Sequence, residues 1–119
     1  MESYVSPQVK RGDIIKVENL RHGEQQTHDQ QGYRPWLVVS DEGLQDTSPF
    51  VIAIPFTSRK GSYQIEIDWD KLGLRTKTTG TLLCSQVKSM DVANRSWTRV
   101  EHVEVPKLVS QRLRDLMDL

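Results

Sequence analysis

Two short apolar runs bounded by prolines constrain this chain most: Trp36-Leu37-Val38-Val39 after Pro35, and Phe50-Val51-Ile52-Ala53-Ile54 between Pro49 and Pro55. Each is continuous rather than alternating, as in strands buried on both faces, and their β-branched content favours strand over a short buried helix. Around them lie Asp13-Ile14-Ile15-Lys16-Val17 after a glycine, the alternating Tyr63-Gln64-Ile65-Glu66-Ile67, and Thr81-Leu82-Leu83-Cys84. An apolar stretch at 87–90 and a weaker alternation over 99–105 complete the set. Six or seven short strands with turn residues between them predict a small barrel or a pair of curved sheets. Only the C-terminus has a helical period. From Pro106, the residues Val109, Leu113, Leu116 and Met117 mark one face, which predicts a helix packed across the sheet.

At 119 residues the expectation is one domain over 1–119. Sixteen basic and sixteen acidic residues cancel. Bulk charge therefore cannot carry nucleic-acid binding, and any such chemistry needs a local groove. The single cysteine, Cys84, excludes an internal disulfide framework and fits a reducing compartment. With no apolar run near the ~18 residues of a membrane span and no apolar segment in residues 1–10, the chain reads as soluble, cytoplasmic and free of membrane. Gly-rich phosphate loops and the His-Glu-x-x-His and Gly-x-Ser-x-Gly motifs are absent, so neither metal nor cofactor is expected.

Several residues have chemical potential. Arg34 stands between the polar stretch 19–33 and a buried strand, and Pro35 holds it extended. A guanidinium fork there suits bidentate phosphate binding, and equally an ion pair with Asp29 or Asp41. Thr57-Ser58-Arg59-Lys60 puts two hydroxyls and two cations at a strand end, which suits a phosphodiester or an ordinary turn. His22 and His28 lie in the long polar stretch, where a histidine either transfers protons or is merely solvated. His102 reads as a surface residue. The amide of Gln86, beside Ser85, suits a base edge or a turn. Trp36 reads as core, whereas Trp69 and Trp97 have polar neighbours and stay open to base stacking.

Taken in order, Arg11-Gly12-Asp13-Ile14-Ile15, Gln31-Gly32-Tyr33-Arg34-Pro35, Pro55-Phe56-Thr57-Ser58, Thr79-Gly80, Ser85-Gln86-Val87-Lys88-Ser89-Met90-Asp91 and the apolar C-terminal helix resemble the MazF/PemK toxins of bacterial toxin–antitoxin systems. The resemblance implies a mainly β fold with a C-terminal α-helix, a small SH3-like barrel of the MazF/PemK/CcdB type. It also implies a homodimer with an RNA groove, and an antitoxin partner, MazE-like, that blocks the groove with a flexible acidic segment. The implied activity is metal-independent, sequence-selective cleavage of single-stranded RNA, leaving a 2′,3′-cyclic phosphate and a 5′-hydroxyl.

The family's catalytic Arg and Thr fall on Arg34 and Thr57, and the histidine of one branch falls on His28. Gln31, Ser58, Arg59, Thr79, Ser85 and Gln86 are the implied RNA-binding residues. That branch also carries a charged pair around its cysteine, where this chain has Leu83 and Ser85, so its acid–base pair does not operate here unchanged. The alternatives are a non-catalytic CcdB-like toxin that binds a protein, and an inactive RNA-binding module.

Overall fold

The computed structural model describes residues 8–17, 34–59 and 63–119. Seven strands, two α-helices and two 3-10 turns follow in the order β1 (Asp13–Val17), β2 (Pro35–Val38), α1 (Leu44–Thr47), β3 (Phe50–Thr57), β4 (Ile67–Asp68), a turn over Trp69–Leu72, β5 (Thr81–Leu82), a turn over Cys84–Gln86, β6 (Lys88–Asp91), β7 (Trp97–His102) and α2 (Lys107–Met117). The strands pair antiparallel in the spatial order β4-β5-β3-β2-β1-β7, and β6 joins β3 at its other end. The expected class is met: mainly β with a C-terminal helix, curved like a barrel. The end strands β4 and β7 do not pair, so the sheet stays open. No helix among the described residues is long and apolar enough to cross a membrane.

Apolar residues cover both faces of the central strands. Ile14, Leu37, Ile54, Phe56, Trp69, Leu82 and Val109 form one buried cluster; Ile15, Val17, Trp36, Val38, Val51, Ala53 and Met90 form the other. Consecutive residues of β2, like Ile14 and Ile15 of β1, thus point into opposite cores, which is why the β2 run is continuous in sequence. β3 departs from the expectation at its start. Phe50 and Ile52 share a face with Ile54, but the cluster covering that face does not reach them, and Phe50 is 42% exposed.

The Arg11-Gly12-Asp13 triplet is a structural fastening. Arg11 donates to Val39 O at 2.6 Å and to Ser110 Oγ of α2 at 3.3 Å. Gly12 sits at φ +96°, hydrogen-bonded to Val38 on one side and Val103 on the other, where a Cβ would run into the Val103 carbonyl. Asp13 is buried and fully engaged, with Lys10 N at 2.8 Å, Arg99 Nε at 3.0 Å and His102 Nδ1 at 2.7 Å. A buried carboxylate survives only with such partners. His102, expected on the surface, is half exposed and still bonds Asp13.

The β1–β7 pairing skips a residue: Ile14 faces Glu101 and Ile15 faces Arg99, leaving Val100 as a bulge. Without it, Arg99 and His102 would lie on opposite faces of β7. With it, both reach Asp13, and Glu101 turns to the other side.

Three other expectations are corrected. Tyr63 to Glu66 is a turn closed by Glu66 N donating to Tyr63 O, so only Ile67 of the alternating run enters a strand, and Tyr63 is 71% exposed. Trp69 is core, edge-on to Phe56 at 5.1 Å with its indole N–H satisfied by Thr76 Oγ1, and so is closed to a base. Val109 and Leu113 of α2 pack on the core, but Leu116 and Met117 do not join it and are 40% and 52% exposed.

Cys84 is fully buried, and burial pushes its thiol up from its ordinary value near 9 to about 11, against the pull of the Arg112 charge. The native thiol is therefore expected to resist iodoacetamide at pH 8, and to react only on unfolding. Because the unfolded thiol loses its proton first, stability is expected to fall as pH rises from about 9 to about 11. Stoichiometric labelling of folded protein within seconds, read by mass spectrometry, contradicts this.

Candidate active site

The register of the central strands assembles the site. Trp36 faces Pro55 across β2 and β3. Continuing that register two residues beyond the paired segment brings Arg34 level with Thr57 at the same end of the sheet. On its other flank Thr57 pairs with Thr81 of β5. Lys16 faces Pro35 across β1 and β2, which sets it at the same end of the sheet as Arg34.

These ends open into one groove of about 810 Å³. That is the bulk of a drug-sized ligand, enough for a phosphodiester with flanking nucleosides. Arg34 and Pro35 enter from β2, Phe56 and Thr57 from β3, and Ser58 and Arg59 from the loop that follows. Lys16 and Val100 also line it, and the segment Lys77, Thr78 and Thr79 forms a further wall. The lining thus holds four cations and four hydroxyls, and none of its described residues is a carboxylate. A chain with no net charge concentrates positive potential in one concave place, as a polyanion requires.

The side chains are set for phosphate. Asp41, one of the two ion-pair partners considered for Arg34, accepts instead from Gly43 N at 2.8 Å, and no described carboxylate pairs with Arg34. Asp29, the other, lies outside the described residues. Thr57 Oγ1 accepts from Arg59 N at 3.2 Å, which fixes the hydroxyl oxygen and leaves its proton to donate.

Arg34, Thr57, Ser58, Arg59 and Thr79 therefore come together. Ser85 and Gln86 do not join them: both are exposed on the turn over Cys84–Gln86, outside the lining, with Ser85 Oγ 3.5 Å from Glu66 Oε2. His28 and Gln31 lie outside the described residues. Trp36 and Trp69 are buried and Trp97 is half-buried; none lines this groove.

Sequence reasoning does not name Lys16, Lys77 or Thr78 as site residues, although Lys77 and Thr78 lie in the basic, hydroxyl-rich run 75–79. The first was legible in principle, as the outward residue between Ile15 and Val17. Gly80 enters the sequence reading only through the Thr79-Gly80 match, without a role. At φ +113° its Cβ-less backbone packs on the Thr57 carbonyl, so that the 77–79 wall lies close against the end of β3.

Comparison with known proteins bears on the fold and the kinship of the chain. The model of the PemK-like, MazF-like toxin family of type II toxin–antitoxin systems matches residues 10–116. The Escherichia coli protein Endoribonuclease PemK is 30% identical over 81 residues, a match that covers 64% of this chain and 58% of that relative's length. The crystal structure of MazF from Deinococcus radiodurans superposes with a TM-score of 0.73 at 23% identity, covering 96% of this chain and 100% of that one. An endoribonuclease in complex with its cognate antitoxin, from a mycobacterial species, gives 0.69 at 16% identity, over 93% and 96% of the two chains. The match over nearly the whole chain settles its kinship: this protein belongs to the PemK-like, MazF-like toxin family of type II toxin–antitoxin systems.

Proposed function

We propose that this chain is a toxin that cleaves single-stranded RNA at selected sequences without a metal ion, acting as a homodimer in the bacterial cytoplasm and held in check by a cognate antitoxin. One observation carries the reading: a guanidinium and a hydroxyl, from the ends of two neighbouring strands, line one cationic groove that contains no described carboxylate. The family, the relative named as an endoribonuclease and the toxin–antitoxin complexes of similar fold support it. An acidic antitoxin segment also suits a groove of this charge.

In the reaction, the ribose 2′-oxygen bonds to the adjacent phosphorus as the P–O5′ bond breaks. A base takes the 2′-proton and an acid supplies one to the departing 5′-oxygen, so atoms balance without water or cofactor. Arg34, charged at all working pH, stabilises the extra negative charge of the phosphorane. Thr57 donates its hydroxyl proton to a non-bridging oxygen and orients the phosphate. Lys16, Arg59 and Lys77 hold the neighbouring phosphates. His28 is the candidate proton carrier.

The test incubates purified protein with mixed-sequence RNA in EDTA and maps the ends. Cyclic phosphate termini at a short recurring sequence are expected. Binding of a non-cleavable RNA should weaken with salt at a log–log slope of roughly −3, as four phosphate contacts on a single strand give. RNA left intact at every protein concentration refutes the proposal, and points to a toxin that acts by contact with a protein.

A further inference from the structure

The 77–79 wall of the groove has no regular secondary structure, yet three side chains pin it. Trp69 Nε1 donates to Thr76 Oγ1 at 3.0 Å, and that hydroxyl donates to Thr78 O at 2.7 Å. Asp70 Oδ1 accepts from Gly80 N at 2.9 Å. The third pin crosses from β7. Glu101 Oε1 accepts from Lys77 N at 3.0 Å, while its Oε2 accepts from Thr78 N at 2.8 Å and from Thr78 Oγ1 at 2.7 Å.

Glu101 lies behind the wall and is not part of the lining. Partial burial alone would raise its carboxyl, but the three hydrogen bonds and the Lys77 charge outweigh that and hold it below the usual carboxylate range. It is an ionised acceptor with both oxygens in use. Thr78 is nearly buried, so its amide and hydroxyl would be left unsatisfied without it. The Val100 bulge is what turns Glu101 to this side of β7.

Resting on the ribonuclease reading above, we infer that Glu101 is a positioning residue for RNA: its carboxylate sets the 77–79 wall so that Lys77 and Thr79 meet a bound phosphodiester. It touches no substrate. It converts an irregular loop into a rigid half of the groove, so the ordering cost is met in folding and not in binding.

Glu101→Gln keeps the size but turns an NH₂ group toward a donor, so one wall amide loses its acceptor. For a short RNA with one cleavable linkage, KM is expected to rise roughly tenfold. By contrast, kcat should stay within about twofold, because the reacting phosphate is held by other residues. The Kd of the same RNA with a 2′-deoxy ribose at the attacking position should rise in parallel with KM. Thr78→Val removes one of the three bonds and should raise KM by roughly threefold, with little further effect when Glu101 is already Gln.

A merely structural Glu101 would lower the melting temperature and leave the KM of the folded enzyme alone. Unchanged KM in folded Glu101→Gln therefore overturns the inference, and if that variant fails to fold, unchanged KM in Thr78→Val does the same. A wild-type protein that neither cuts nor binds RNA is a separate result: it removes the ribonuclease reading first, and this inference with it.

Discussion

Arg34→Ala is expected to abolish RNA cleavage, lowering kcat by about 10³-fold or more, in a protein that still folds. Arg34 is half-buried at the groove rim and belongs to neither core cluster, so its loss leaves the packing intact. The groove holds three other cations, so a charge-only role for Arg34 predicts a modest effect. The phosphorane argument predicts a large one, since only a group aimed at the developing charge separates transition state from ground state. Lys16→Ala supplies the contrast: it should raise KM and shrink the salt slope by about 0.7 while kcat holds. Arg34→Lys should recover little, because a point charge lacks the planar fork. Single-turnover cleavage of a short RNA measures all three, with circular dichroism to confirm folding. Wild-type rates from a folded Arg34→Ala protein would remove Arg34 from the chemistry.

The fold was legible where local pattern and tertiary burial agree. The continuous run of β2 names its own strand, because each of its apolar residues must face one core or the other. Pattern failed where burial did not require a strand. Ile65 and Ile67 both turn inward, as their alternation says, but a turn from Tyr63 delivers the first of them. Trp69 looked exposed because its neighbours are polar, yet Thr76 seven residues on satisfies its indole N–H and makes burial cheap. Helical spacing gave α2 its apolar face but not its cover, and Leu116 and Met117 stay exposed.

The site was legible in its central pair and not in its frame. Arg34 and Thr57 each mark the end of a buried run, and antiparallel pairing of those runs brings them together. Lys77 and Thr78 gave no such sign, since what holds them is Glu101, more than twenty residues away, and the bulge that turns Glu101 inward breaks the alternation that would have shown its side. Contacts of that kind depend on the register of β7 against β1, which composition and spacing do not encode.

Gly80→Ala should have the second large effect, on stability and cleavage together. The backbone at Gly80 has φ +113°, a region L-residues rarely enter, and a Cβ there would press into the Thr57 carbonyl oxygen and lie 3.1 Å from its carbon and 3.5 Å from Ser58 Cα. Neither side can yield. Gly80 is tied by Asp70 Oδ1 on its N–H and Trp69 N on its carbonyl, and Thr57 is fixed in β3 between β5 and the start of β2. The expected cost is about 4 kcal/mol, combining backbone strain with a backbone clash. In a chain of this size that lowers the melting temperature by roughly 15 °C. Relief requires the end of β3 to move, which displaces the Thr57 hydroxyl, and a shift near 1 Å is worth about 10²-fold in rate. Gly73 provides the control: it also has positive φ, +75°, but a Cβ there meets nothing within 4 Å. Gly73→Ala should therefore cost only the backbone strain, about 1 kcal/mol, and leave cleavage alone. Urea denaturation of the two variants beside their cleavage rates separates strain from contact. Equal losses in both would mean that the close approach of the wall to Thr57 does not shape the site.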